Sequence, residues 1–187
     1  MDSTASTANA LVPDQPAWFV HRGGIVPGTT AHWMSEVLAL LGVDPEPWAQ
    51  TCAVRLTRVR ANTLFYREGE ATQALYVVRH GSFKCLRFAE DGYEHVLGFV
   101  STGDVIGFEG LANQRQPLGV MALEDSSVLA LPLLDLYGWR RQSPALDRAL
   151  QRAVSAELTR ARETAAMMAA VASEVRLARF LVWMSCR

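Results

Sequence analysis

Apolar and polar positions divide the chain into three regimes. Residues 1–31 hold few periodic hydrophobics and are rich in Ser, Thr, Ala, Pro and Gly, which predicts a mobile N-terminal arm. Trp33, Val37, Leu38, Leu40 and Leu41 then cluster at helical spacing, with Gly42 as the stop signal. A second short helix is expected after Pro45. Across residues 56–131 short β-branched, aromatic and aliphatic runs alternate with turn signals. The predicted strands are 63–67, 74–79, 82–89, 93–100, 104–108, 118–123 and 126–131. Asp91-Gly92 between two of them is the strongest hairpin signal. Many short strands at regular spacing predict a sandwich or barrel.

The third regime is helical. Residues 133–141 read as one short helix. Ser143-Pro144 is a good start for the next, a hydroxyl to cap followed by proline at the first helical position. Leu146, Leu150, Val154, Leu158, Ala161, Ala165, Met168 and Ala172 recur at steps of three and four, which makes one continuous apolar stripe. A helix of about 28 residues extends ~42 Å, longer than a small sandwich covers. Part of it should therefore protrude and pair with a copy of itself. The predicted seam is Leu150, Val154, Leu158, Ala161, Ala165 and Met168, with the two alanines allowing close approach. The competing reading is a stripe packed entirely on its own sandwich. Leu177, Phe180, Leu181 and Met184 begin another amphipathic set after Ser173.

Charge and cysteine usage narrow the class. The net charge of −1 gives no overall push toward nucleic acid. Residues 138–187 nevertheless carry nine arginines against four acids, so the acidic front and basic rear are expected to differ in role. The three cysteines, Cys52, Cys85 and Cys186, form no close pair for metal or redox work, and this usage suits a reducing interior. No signal-peptide layout and no apolar run near ~20 residues is present, so the expectation is a soluble cytoplasmic protein without membrane contact.

Three stretches carry a family resemblance: TLFYREGEA from Thr63, LYVVRHGS from Leu75, and GDVIGFEGL from Gly103. With Gly69, Gly81, Gly92, Gly103, Gly107 and Gly110 at its turns, the chain resembles the cyclic-nucleotide-binding jelly roll of the Crp/Fnr regulators over about residues 45–187. VRLARFL from Val175 resembles the opening of that family's C-terminal DNA-binding domain. Residues 90–99, 107–109 and 124–132 look more like the Fnr branch than the cAMP receptor. The fold implied is mixed α+β, a jelly roll followed by a long dimerisation helix. Residues 32–137 would form the sensor, 138–172 the dimerisation helix, and 173–187 the start of the DNA-binding domain. The resemblance implies a regulator rather than an enzyme, acting as a homodimer on promoter DNA and RNA polymerase. Glu90, Asp91, Gly92 and Tyr93 resemble the polymerase-contact loop; a solvated hairpin tip is the equal alternative. The family's helix-turn-helix should lie beyond Arg187, so a fragment of a longer regulator is expected. The alternative is a dimeric ligand-binding or antagonist module without DNA function.

The candidate effector pocket comprises Gly107, Phe108, Glu109 and Arg115. In cAMP-binding relatives a glutamate holds the ribose and an Arg-Ser pair the cyclic phosphate. Here Phe108 stands in the ribose position and reads as a core residue. Arg115 is out of register, and Pro117 lacks the amide needed beside it. Binding of cAMP is therefore not expected. A four-iron cluster of the Fnr kind needs four thiolates; residues 1–51 contain none, and Leu129 stands at the late-strand position. No cofactor is predicted. A haem on His21, His32, His80 or His95 is the lesser alternative, because solvated histidines explain those positions as well. Cys85, flanked by Lys84 and Arg87, reads as a buried structural thiol, with a redox switch as its alternative. The scattered histidines do not make the cluster that a metal-dependent jelly-roll enzyme needs.

Overall fold

The computed structural model describes residues 25–27, 32–89, 93–169 and 173–185. Its strands are β1 (Ile25–Pro27), β2 (His32–Trp33), β3 (Ala53–Val59), β4 (Leu64–Tyr66), β5 (Ala74–His80), β6 (Ser82–Phe88), β7 (Glu94–Ser101), β8 (Val105–Ile106), β9 (Gly119–Ala122) and β10 (Ser126–Pro132). The helices are α1 (Met34–Leu40), α2 (Leu133–Gln142), α3 (Pro144–Met168) and α4 (Ser173–Ser185). Short 3-10 turns occupy Pro47–Gln50 and Phe108–Leu111. One sheet runs β1-β3-β10-β5-β8, with β2 also paired to β3; the other runs β4-β9-β6-β7. All these pairings are antiparallel. The arrangement is the expected jelly roll, with helices.

Alternation along β5 and β10 explains the layering. Val78 and Val128 point into the roll, where they meet Phe65, Phe83, Val100, Val120 and Ala122 of the second sheet. Leu75, Val77, Leu129 and Leu131 point the other way, under Met34, Val37 and Leu38 of α1, Leu136 of α2 and Leu146 and Leu150 of α3. These two strands are covered on both faces, which is why their sequences read as nearly unbroken apolar runs. Edge strand β7 is mostly exposed and shows a weaker pattern.

Five sequence features differ from expectation. Strand β3 falls partly before the expected β region and was not among the predicted strands; Arg55 and Arg58 break up its apolar signal. Within the stretch expected as a mobile arm, Ile25–Pro27 pairs with Val59, Arg58 and Thr57. Strand β8 ends at Ile106, since Phe108 already belongs to a 3-10 turn. The long helix is α3, 25 residues that end at Met168. Leu150, expected in a dimer seam, is 4% exposed and belongs to the chain's own core. The first turns of α3 lie under the roll, and the apolar stripe gave no sign of where that cover stops.

The start of α3 is as expected. The Leu146 N–H donates to Ser143 Oγ at 3.1 Å, and Ser143 Oγ donates to Glu46 Oε1 at 2.7 Å. Cys85 faces the roll interior, and burial pushes its thiol up to about 12. The cations beside it in sequence are engaged elsewhere: Lys84 pairs with Glu94, and Arg87 with Glu68 and the Pro117 carbonyl. Cys85 is therefore a neutral core thiol, as the favoured reading had it.

Three outcomes are expected. Leu129→Ala removes a fully buried side chain from a strand covered on both faces and should cost about 2–5 kcal/mol in urea denaturation. Leu134→Ala, at a residue 94% exposed, should stay within about 0.5 kcal/mol. For Cys85 the folded-state pKa lies above the ordinary 9.0. Its neutral thiol thus contributes fully below pH 9, and that contribution is lost as pH rises through 9 toward 12. Urea midpoints should show the wild type losing stability relative to Cys85→Ala between about pH 9 and pH 12.

Candidate effector site and helix contact

Two glycines shape the turn after β8. Gly107 adopts φ +98°, and a Cβ there would lie 3.2 Å from the Ala74 carbonyl oxygen. A Cβ on Gly110 would meet Thr72 Oγ1 at 2.0 Å. The turn Phe108–Leu111 therefore lies directly on Thr72 and buried Gln116. Thr72 Oγ1 is buried with no hydrogen-bond partner among the described residues, so the floor of the turn keeps one unspent polar atom. Phe108 packs on the core beneath α1, as a core residue should. Glu109 stays partly in solvent. Even so, lost hydration around its carboxyl, then the nearby Glu157 carboxylate, push its pKa above the ordinary value.

Arg115 does not join this turn, which corrects its assignment to the pocket. It is exposed, and its Nη1 donates to the Gly69 carbonyl at 2.8 Å. Residues 114–116 are zipped onto the turn before β5: the Gly69 N–H donates to Gln116 O at 2.7 Å and the Gln116 N–H to Glu70 O at 2.8 Å. That backbone pairing fixes Arg115 over the Gly69 loop. Gly107, Phe108 and Glu109 share one segment; Arg115 serves another.

Aromatic side chains occupy the roll interior beside this turn. Phe65 meets Tyr76 edge-on with ring centroids 4.7 Å apart, and Tyr66 and Phe83 lie at 5.4 and 6.1 Å. Burial raises the pKa of Tyr76 to about 12; burial also pushes that of Tyr66 well up, where the nearby Cys85 and Glu109 add to the effect. Both phenols are neutral hydrogen-bonding groups in an apolar setting.

Among the described residues the roll meets α3 through one charged contact that the sequence did not single out. Arg160 Nη1 donates to Asp104 Oδ1 at 2.6 Å, while its Nη2 donates to Glu157 Oε2 at 2.6 Å. Asp104 closes the turn between β7 and β8, where its Oδ2 accepts the Ser101 N–H at 2.9 Å. That turn is held on β5 by bonds from the Gly103 N–H to Val78 O and from the Val78 N–H to Asp104 O, both 2.9 Å. The i,i+3 spacing of Glu157 and Arg160 was legible; a partner 56 residues away was not. Around this contact Val154 and Leu158 are 44% and 51% exposed, and Ala161 and Ala165 are exposed too. The side chain of Met168 lies outside the described residues.

The remaining candidates sit apart. Glu90, Asp91 and Gly92 lie outside the described residues, and Tyr93 beside them is 74% exposed. His32 Nδ1 bonds Glu36 at 2.8 Å, while His80 and His95 are exposed. His21 and Cys186 lie outside the described residues. Half-buried Cys52 has its pKa raised by burial and then by Asp135. No group of three or more His, Cys, Asp or Glu that could hold a metal ion occurs among the described residues.

Comparison with known proteins agrees with this geometry. Residues 56–143 match the cyclic nucleotide-binding domain. The transcriptional regulatory protein Btr of Bordetella pertussis is 32% identical over 130 residues, 70% of this chain and 54% of that protein. The fumarate and nitrate reduction regulatory protein of Shigella dysenteriae is 30% identical over 128 residues, 68% of this chain and 51% of that protein. The structure of FixK2 from Bradyrhizobium japonicum shares the fold, with a TM-score of 0.64 at 24% identity over 72% of this chain and 67% of that one. The chain thus spans about half the length of the curated relatives it matches. Taken with the glycine-shaped turn, the aromatic roll and the helix leaving it, these matches identify a cyclic nucleotide-binding domain with Crp/Fnr-family homologues.

Proposed function

We propose that this chain is the sensor and dimerisation region of a DNA-binding transcription regulator, passing a signal from the roll through α3 to promoter binding. The observation that carries the reading is the half-covered helix: Leu146 and Leu150 are buried by the chain's own core, while Val154 and Leu158 continue the same stripe uncovered. A second copy of α3 would cover them by the same side chains, which is the symmetric solution for a self-complementary stripe. Promoter DNA would be contacted through a C-terminal helix-turn-helix following α4, and RNA polymerase through the β6–β7 hairpin tip near Tyr93.

The reading assigns neither an iron–sulfur cluster nor cAMP as the input. A cluster of the Fnr kind takes four thiolates, against three cysteines here, one of them the neutral core thiol Cys85. A cyclic phosphate in the roll would need a cation. Arg115 is spent on the Gly69 carbonyl, and Arg160 on Asp104 and Glu157. With His32 held by Glu36 and the other described histidines exposed, no haem is assigned. Among the described residues no helix is long and apolar enough to cross a membrane, and the reading places the protein in the cytoplasm.

Light scattering tests the reading. At about 10 µM, where specific interfaces persist, the wild type should have the mass of a dimer and Leu158→Arg that of a monomer. Because Leu158 is half exposed, the variant should keep its circular dichroism spectrum. A wild-type monomer would sink the dimer reading. For the helix contact, a double-mutant cycle of Arg160→Ala and Asp104→Asn should give a coupling of about 1–2 kcal/mol, within the range for contacting charged residues. Hydrogen exchange across residues 153–165 should speed up in either variant.

A further inference from the structure

The far end of β5 carries a second constellation. The Gly107 turn touches Ala74, the first residue of that strand, whereas His80 is its last, about 20 Å away. Beside His80 lies a cavity of about 390 Å³, lined among others by Arg58, Arg60, Arg79, Asp125 and Ser127.

Strand register builds this cavity. Leu129 of β10 opposes Leu56 on one side and Val77 on the other, an apolar row buried beneath the helices. Two residues along β10, Ser127 opposes Arg58 and His80. Directly opposed residues share a face of the sheet. The face that is apolar and covered at Leu129 therefore turns cationic and open at Ser127. A small buried hydroxyl side chain forms the floor, and two long exposed side chains stand on either side of it. The register shifts between Ser127 and Val128, which leaves Arg79 as the unpaired residue of a bulge. Bulges re-aim side chains, and Arg79 lines the same cavity.

The charges do not balance within the cavity. Asp125 Oδ1 accepts the Ala61 N–H at 2.8 Å and so holds the adjoining loop. Arg79 Nε donates to Glu36 Oε1 at 2.5 Å. Burial alone would raise the Glu36 pKa; the bonds from His32 and Arg79 outweigh it and keep that carboxylate ionised. Arg58 and Arg60 make no ion pair among the described residues. Like charges crowded on one face destabilise a sheet unless an anion joins them. Guanidinium forks match phosphate oxygens two at a time. The volume falls at the small end of small-molecule sites, which run from about 300 to 1,000 Å³.

We infer that this corner is a binding site for a small phosphorylated molecule, with Arg58 and Arg60 supplying charge, Ser127 the hydroxyl of the floor and His80 a hydrogen-bonding group beside it. It is separate from the Gly107 turn and independent of whether α3 dimerises. The concave shape favours a free phosphate ester over the phosphate backbone of a nucleic acid.

Calorimetric titration of inorganic pyrophosphate into the full chain tests the site. Saturable binding with Kd below about 1 mM is expected. The Arg58→Ala/Arg60→Ala double variant should weaken it at least about tenfold, a loss of about 1.4 kcal/mol. Arg141→Ala, an exposed residue on α2, should change nothing. Thermal melts of all three proteins should coincide without ligand. No saturation up to about 10 mM, or equal affinity in the double variant, would overturn the assignment. A short single-stranded oligonucleotide that binds through the same arginines and is not displaced by pyrophosphate would overturn it too.

Discussion

A 25-residue helix extends about 38 Å, and the roll covers only its first turns. That mismatch organises the rest of the structure. The buried Ser143 cap and the side chains of Leu146, Ala149 and Leu150 fix where α3 begins and in which direction it leaves. Beyond them the helix keeps its apolar stripe with Val154 and Leu158 about half exposed, and Arg160 meets the roll again at Asp104. The ion pair to Asp104 ties that half of the helix to the roll. Its side chains are about a fifth exposed, so it is dry enough to matter more than a surface pair, yet wet enough to be broken and remade.

The two central strands give the roll a way to reach that contact. Along β5, Tyr76 and Val78 face the aromatic interior, while Leu75 and Val77 face the helices. Because such packing is close, a displacement on one face is felt on the other. The Asp104 turn hangs on Val78 by two backbone hydrogen bonds, so it moves with that strand. A change among Phe65, Tyr66 and Tyr76 therefore has a short mechanical path to Arg160. The cationic corner at His80 lies on the same strand, a few residues beyond Val78.

Patterning along the chain told more about faces than about partners. Strands β5, β6, β9 and β10 were readable within a residue or so because both of their faces, or one clear face, are apolar. Strand β3 was not: its alternation changes phase after Leu56, and arginines occupy its open positions. The stripe lies on one helix from Leu146 to Ala165, short of its expected end at Ala172, but Leu150 and Val154 are equivalent in any helical pattern. Only the roll's third dimension buries the first and exposes the second. Arg115 was drawn toward the pocket by proximity in sequence, whereas backbone pairing of residues 114–116 with the Gly69 turn decided its place. Asp104 with Arg160, and Arg58 with His80, are products of register and topology, which one-dimensional spacing does not carry.

The proposed dimer would place a definite limit on signalling through α3. Linkage is reciprocal: whatever the Asp104 turn contributes to closing two helices, closing the helices returns to the turn. The coupling cannot exceed the difference the Arg160 contact feels between its two arrangements. For a charged contact of this kind that is about 1–3 kcal/mol, a five- to 150-fold change in the affinity of one helix for its copy. A larger response would need a second element to move with the turn. The candidate is α4, since Phe180 already rests on Phe99 of β7 with ring centroids 6.3 Å apart. Strand β7 leads directly into the Asp104 turn, so both ends of the helical segment, the middle of α3 and the body of α4, are tied to one short stretch of roll. Movement of that stretch would act on both helices together, and their contributions would add.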